Sequence, residues 1–125
     1  MSHTTTQTIM LVDDEKMILE CVSEMLHEFC DYDVIIAHGG ISALERYKDH
    51  WSQIDCVILD MMPDLNGCEV YKHMKAINPN VKVIVMSGYS ADKDKEFMRN
   101  SGCAFISKPA TIQQIHKTIL DTIGA

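Results

Sequence analysis

Three acids, Asp13, Asp14 and Glu15, follow directly on the apolar run Ile9 to Val12. Like charges side by side repel, so such a run calls for a cation or for the exposed amides of a helix start. Asp60 ends a second apolar run, Cys56 to Leu59. Ser87 and Gly88 follow a third, Val81 to Met86, and Ser107, Lys108 and Pro109 follow a fourth, Ala104 to Ile106. Clustered carboxylate oxygens suit a hard ion such as Mg²⁺, which joins one or two protein carboxylates to a substrate phosphate and keeps several waters. A lysine ammonium can pair with one phosphate oxygen while a serine hydroxyl donates to another. The set reads as a phosphoryl-transfer site with Asp60 as nucleophile, because carboxylates act covalently by forming aspartyl-phosphates.

Each residue alone has an ordinary explanation. An Asp at a strand end caps a helix or forms a turn, Ser87 fits a turn, and Lys-Pro is a loop dipeptide. Asp55, Asp64, Asp92 and Asp94 are left with that explanation, and Asp13-Asp14 alone would cap the helix that follows. What distinguishes the others is their order. An acid pair, an acid, a hydroxyl and a lysine each stand at the end of a separate apolar run.

Those runs, with Val34 to Ala37 added, are five segments of strand length, apolar nearly throughout, as strands covered on both faces must be. Between them the period changes to three and four. Met17, Ile18, Cys21, Val22, Met25, Leu26 and Phe29 share one helical face. A second helix runs from Ser42 to His50 after Gly39-Gly40, with Ile41, Leu44 and Tyr47 or Lys48 inward. Val70, Met74 and Ile77 mark a third, stopped by Asn78-Pro79. A polar helix covers Ala91 to Asn100, and Ile112, Ile115, Ile119 and Ile123 stripe a fifth. Five strands alternating with five helices predict an α/β fold, a doubly wound five-stranded parallel sheet. Ligands of such sheets bind outside the carboxyl ends of the strands, where the acids, serine and lysine fall.

The chain of 125 residues is expected to form one domain over 1–125, with 1–7 a flexible N-terminus. Eleven basic against eighteen acidic residues leave a net charge of −7, which argues against direct nucleic-acid or membrane-surface binding. Five cysteines form no CxxC pair, so they are expected as small buried hydrophobes rather than disulfides or zinc ligands. No run approaches the roughly 20 apolar residues of a membrane span and no signal peptide is evident, so the expected location is cytoplasmic.

The stretches LVDDEK, VILDMMPDLNG, VIVMSGYS and AFISKPA together make the chain resemble, from end to end, the receiver domain of two-component response regulators. The resemblance implies a flavodoxin-like sheet of strand order 2-1-3-4-5, and that Asp60 accepts a phosphoryl group from a phosphohistidine on a sensor histidine kinase or histidine phosphotransfer protein. Asp13 and Asp14 would hold Mg²⁺ (or Mn²⁺) with Asp60 and the backbone carbonyl of Met62, Glu15 being a weaker ligand candidate. Ser87 and Lys108 would bind the phosphoryl oxygens, and Ser87 would move inward with Phe105 as a switch. Met62 and Tyr89 would modulate phosphoryl lifetime, and the Lys108-Pro109 bond would be cis. Phe105 stands where the family often has tyrosine and Ser87 where it more often has threonine, which bears on how the signal reaches the face of the fourth helix, fifth strand and fifth helix. That face would serve an output partner or a homodimer, and the first helix would dock the phosphodonor. The chain would be no enzyme beyond Mg²⁺-dependent self-phosphorylation and self-dephosphorylation, either free-standing or excised from a hybrid kinase or larger regulator. The alternatives are a flavodoxin-like electron carrier, which should cradle phosphate where this chain places acids, and an Asp-nucleophile Mg²⁺-dependent phosphatase, which typically carries its nucleophile on the first strand.

Overall fold

A computed structural model of the chain describes residues 6–60, 67–87, 101–107 and 110–123. The order is β1 (Thr8–Val12), α1 (Lys16–Cys30), β2 (Asp33–Ala37), α2 (Gly40–His50), a 3₁₀ turn (Trp51–Gln53), β3 (Cys56–Asp60), α3 (Gly67–Ile77), β4 (Val83–Ser87), β5 (Ala104–Ser107) and α4 (Ile112–Ile123). All neighbouring strands pair in parallel, in the order β2-β1-β3-β4-β5. The predicted order is therefore the observed one. The described residues hold four α-helices against the five expected: the predicted fifth is α4, and the expected helix over Ala91 to Asn100 falls outside the described residues. Residues 1–5 also lie outside them, while the Gln7 carbonyl already accepts the Asp33 amide at 3.0 Å.

The sheet separates two cores because successive side chains of a strand point to opposite faces. Met10, Val12, Val57, Leu59, Val83 and Val85 join Ala43 and Tyr47 of α2 and Val70 and Met74 of α3 on one side. On the other, Ile9, Leu11, Cys56, Ile58 and Ile84 meet Leu19 and Leu26 of α1 and Ile115 and Ile119 of α4. Every residue of β3 is buried, as expected of a strand with helices on both faces.

The helix faces depart from the sequence reading in two places. In α1 the inward seam is Leu19, Val22 and Leu26, and Met17 and Phe29 are 79% and 77% exposed. In α2 the seam is Gly40, Ala43 and Tyr47, leaving Ile41 66% exposed and Lys48 in solvent. Small residues let that helix approach the sheet closely, so the larger Ile41 is turned out. Cys56 and Cys68 are buried as expected, Cys30 and Cys103 partly so, and Cys21 is exposed.

Local chemistry fixes the helix ends. Gly39, at φ 110°, precedes α2 in a conformation side chains resist. Asp31 closes α1 at φ 62°, its N–H donating to the Leu26 carbonyl. Asn78 ends α3, its Nδ2 donating to the Tyr47 hydroxyl at 3.1 Å and so tying α3 to α2. Before α4, Thr111 Oγ1 accepts the Gln114 amide at 3.1 Å and Gln114 Oε1 accepts the Thr111 amide at 2.8 Å, a reciprocal capping box.

Candidate functional site

Parallel register builds the centre of the site. Val12 pairs with Leu59, so one step on, where β1 ends, Asp13 comes beside Asp60. Adjacent strands lie about 4.8 Å apart, and this distance brings the two carboxylates together. One oxygen from each of Asp13, Asp14 and Asp60 lies within 4.8 Å of the others. Asp13 and Asp60 are 3% and 8% exposed, whereas Asp14 faces solvent. The group thus has a buried floor of two carboxylates and an open side bearing the third.

The turn into α1 fixes Asp13. Its backbone N–H donates to the Ala37 carbonyl at 3.2 Å, locking it to the end of β2, and its Oδ1 accepts the Glu15 N–H at 3.0 Å. The capping alternative is therefore present in part: Asp13 satisfies one free amide at the helix start, and Glu15, the N-cap residue, makes no side-chain cap itself. This leaves Asp14 and the other Asp13 oxygen for a ligand. Two buried carboxylates at this separation, both ionised, repel by on the order of 3 kcal/mol in a medium of effective dielectric near 20. A divalent cation turns that repulsion into attraction. An all-oxygen donor set suits Mg²⁺, whose ligands at 2.0–2.1 Å place opposite oxygens roughly 4.2 Å apart, close to the span found. Among the described residues this is the one group of three His, Cys, Asp or Glu side chains close enough to hold an ion.

The remaining predicted residues divide by place. Asp60 pairs with Met86, so the backbone of Ser87 lies at the same sheet edge, and Ser87 pairs in turn with Ser107, the residue before Lys108. The Ser87 side chain lies outside the described residues, as do Met62, Tyr89, Lys108 and Pro109. Phe105, paired with Val85, is partly buried against the core under α2 and α3.

A family model described as a response regulator receiver domain matches residues 9–120. The chain belongs to the response regulator receiver family. Sporulation initiation phosphotransferase F of Bacillus subtilis (strain 168) is 30% identical over 115 residues, which cover 90% of this receiver and 90% of that protein. The sensor kinase CckA of Brucella abortus (strain 2308) is 28% identical over 121 residues, 93% of this receiver but 12% of the kinase. The crystal structure of a response regulator receiver domain protein from Clostridium thermocellum superposes with a TM-score of 0.88 at 28% identity, covering 94% of each chain. The receiver spans 12% to 46% of the length of four curated relatives that it matches. Membership decides for a two-component signalling module over the electron carrier and the phosphatase. Receiver domains bind Mg²⁺ at an acidic pocket, and an acidic cluster stands here at the ends of β1 and β3. Among the described residues no helix is long and apolar enough to cross a membrane.

Met17 and Phe29, which share the helical period of Val22 and Leu26, face outward on α1 beside Glu20, Glu24 and Glu28, where apolar and acidic residues alternate in the sequence.

Proposed function

We propose that this receiver takes a phosphoryl group on Asp60 from a phosphohistidine of a sensor histidine kinase or histidine phosphotransfer protein, and switches its surface in response. The observation that carries it is the placement of Asp60 in the buried floor of a three-carboxylate cluster at the carboxyl end of the central strand. An Asp60 oxygen attacks phosphorus as the phosphorus–nitrogen bond breaks, and the departing imidazole keeps the electron pair and takes up a proton. Asp13 and Asp14 would hold Mg²⁺ together with Asp60 and the Met62 carbonyl. The ion, when bound, neutralises charge on the phosphoryl oxygens. The Glu15 amide, donating to Asp13 Oδ1, helps to orient that carboxylate.

Ser87 and Lys108 would contact the phosphoryl oxygens, with the Lys108-Pro109 bond cis, and Met62 and Tyr89 would govern access of the hydrolytic water. Added negative charge would then draw Ser87 and Phe105 inward, biasing a two-state equilibrium read by an output partner or a second copy on the β5 and α4 side. Self-phosphorylation and self-dephosphorylation are the whole of its chemistry. A cytoplasmic location accords with the five free cysteines. Incubation with Mg²⁺ and acetyl phosphate, followed by intact mass measurement, tests the proposal. One phosphoryl mass is expected on the native protein and none on Asp60→Asn. No added mass, or addition that persists in the variant, would sink it.

A further inference from the structure

β2 closes the sheet on one side, and among the described residues β1 is its one strand partner. The hydrogen bonds at its two ends show which backbone groups that pairing uses. The Asp33 N–H donates to the Gln7 carbonyl at 3.0 Å and the Ala37 carbonyl accepts the Asp13 N–H at 3.2 Å, so Asp33, Ile35 and Ala37 turn their backbone groups toward β1. The N–H and C=O groups of Val34 and Ile36 therefore point away from the sheet, and no described residue bonds to them there. Soluble proteins blunt such an edge with lysine, proline, a bulge or a very short strand. β2 has none of these. It reads Asp-Val-Ile-Ile-Ala and keeps unbroken register with β1 over five residues. Ile35 packs against the core under α2 and α3, and Val34 and Ile36 against the core under α1 and α4, yet all three are only partly buried. Their remaining exposure lies along the open side.

We infer that β2 is a self-association edge, to which a second copy of this chain adds its own β2 antiparallel about a twofold axis at Ile35, joining two five-stranded sheets into one. Self-complementarity selects the second copy. About that axis Val34 stands opposite Ile36 of the second copy, and Ile36 opposite its Val34. All four residues carry outward backbone groups, so each pair exchanges two hydrogen bonds and no outward group of Val34 or Ile36 is left over. Ile35 meets its own counterpart in the closer pair between them, apolar against apolar. Charge fixes the direction. Parallel pairing in register would set exposed Asp33 against Asp33, whereas the antiparallel arrangement sets it opposite Ala37 and next to His38, at the two ends of the seam. β5 lies at the far edge of the sheet, so this seam is separate from the output side proposed above.

Amide exchange of the isotope-labelled native protein, without Mg²⁺ or phosphodonor, tests the seam at two concentrations about a hundredfold apart. Reductant is present throughout, so that no disulfide through exposed Cys21 mimics a dimer. In the dilute sample β2 is a bare edge: Val34 and Ile36 exchange quickly, and Ile35 and Ala37, bonded to β1, more slowly. In the concentrated sample protection at Val34 and Ile36 should rise by about tenfold or more, with no comparable rise along β5, while sedimentation equilibrium shows a dimer. Ile36→Pro removes an outward N–H, which an edge strand tolerates, and Val34→Lys places a charge in the seam. Each should keep its far-UV dichroism and sediment as a monomer at both concentrations, whereas Phe29→Ser on α1 should dimerise as the native protein does. A native protein that stays monomeric, a dimer in which Val34 and Ile36 remain unprotected, a dimer that survives both edge variants, or one lost in Phe29→Ser would each overturn the inference. Should both edge variants fail to fold, the exchange pattern of the native chain still decides.

Discussion

Asp13 does two opposed things. Its Oδ1 accepts the Glu15 amide and supports the start of α1, while its charge, beside Asp60, works against the folded chain until a cation arrives. Asparagine separates the two, because it keeps an oxygen for Glu15 and removes the charge. Asp13→Asn should therefore raise the melting temperature without Mg²⁺ by about 2–5 °C, equivalent to roughly 1 kcal/mol, and abolish the further rise expected of the native protein in millimolar Mg²⁺. Thermal unfolding followed by circular dichroism, with and without the ion, reads both effects; a variant still stabilised by Mg²⁺ would remove Asp13 from the ligand set. Cys56 is buried in the core under α1 and α4, and burial pushes its thiol from 9.0 up to about 12. In the unfolded chain the thiol ionises near 9, so between about pH 9 and pH 12 the folded state binds more protons and stability falls as pH rises. Below that window the contribution is fully present. Cys56→Ala should show a smaller loss of urea midpoint between about pH 8 and pH 11 than the native protein.

At the scale of elements, α1 has one face the fold needs and one it does not. Leu26, fully buried, should cost about 3 kcal/mol when replaced by alanine, and exposed Phe29 replaced by serine should stay within about 0.5 kcal/mol, both measured by urea unfolding. This contrast also explains what the sequence could and could not reveal. Strands such as Cys56 to Leu59 were legible because an unbroken apolar run has one meaning in a parallel sheet. In α1, apolar residues occupy so much of the circumference that periodicity allows two seams, one through Leu19 and Leu26 and one through Met17 and Phe29. Only packing against β1 and β3 chooses between them. In α2, Ile41 had the right spacing, but the close approach allowed by Gly40 and Ala43 decided the seam. Asp13, Asp14 and Asp60 were legible as a set because each stands at a strand end. That Asp13 comes directly beside Asp60 was not, since register between β1 and β3 depends on residues more than forty positions apart.

Across the whole molecule, protection should follow the strand order. β1 and β3 lie inside the sheet with helices on both faces, so their amides should exchange with solvent more slowly than those of β2 and β5 at its edges, a ranking that hydrogen exchange resolves strand by strand. If β5 proved as protected as β3, its edge would be covered more thoroughly than the sheet order implies.

The β1–β3 register has one more consequence. A slip of a single residue would exchange the apolar sets of the two cores and, in the same stroke, part Asp13 from Asp60. Correct assembly of the interior and formation of the carboxylate cluster are then one event, so on the proposed reading occupancy by a divalent ion would report fold integrity. A library of core variants could be sorted for proper folding by metal uptake alone, without any signalling partner in the tube.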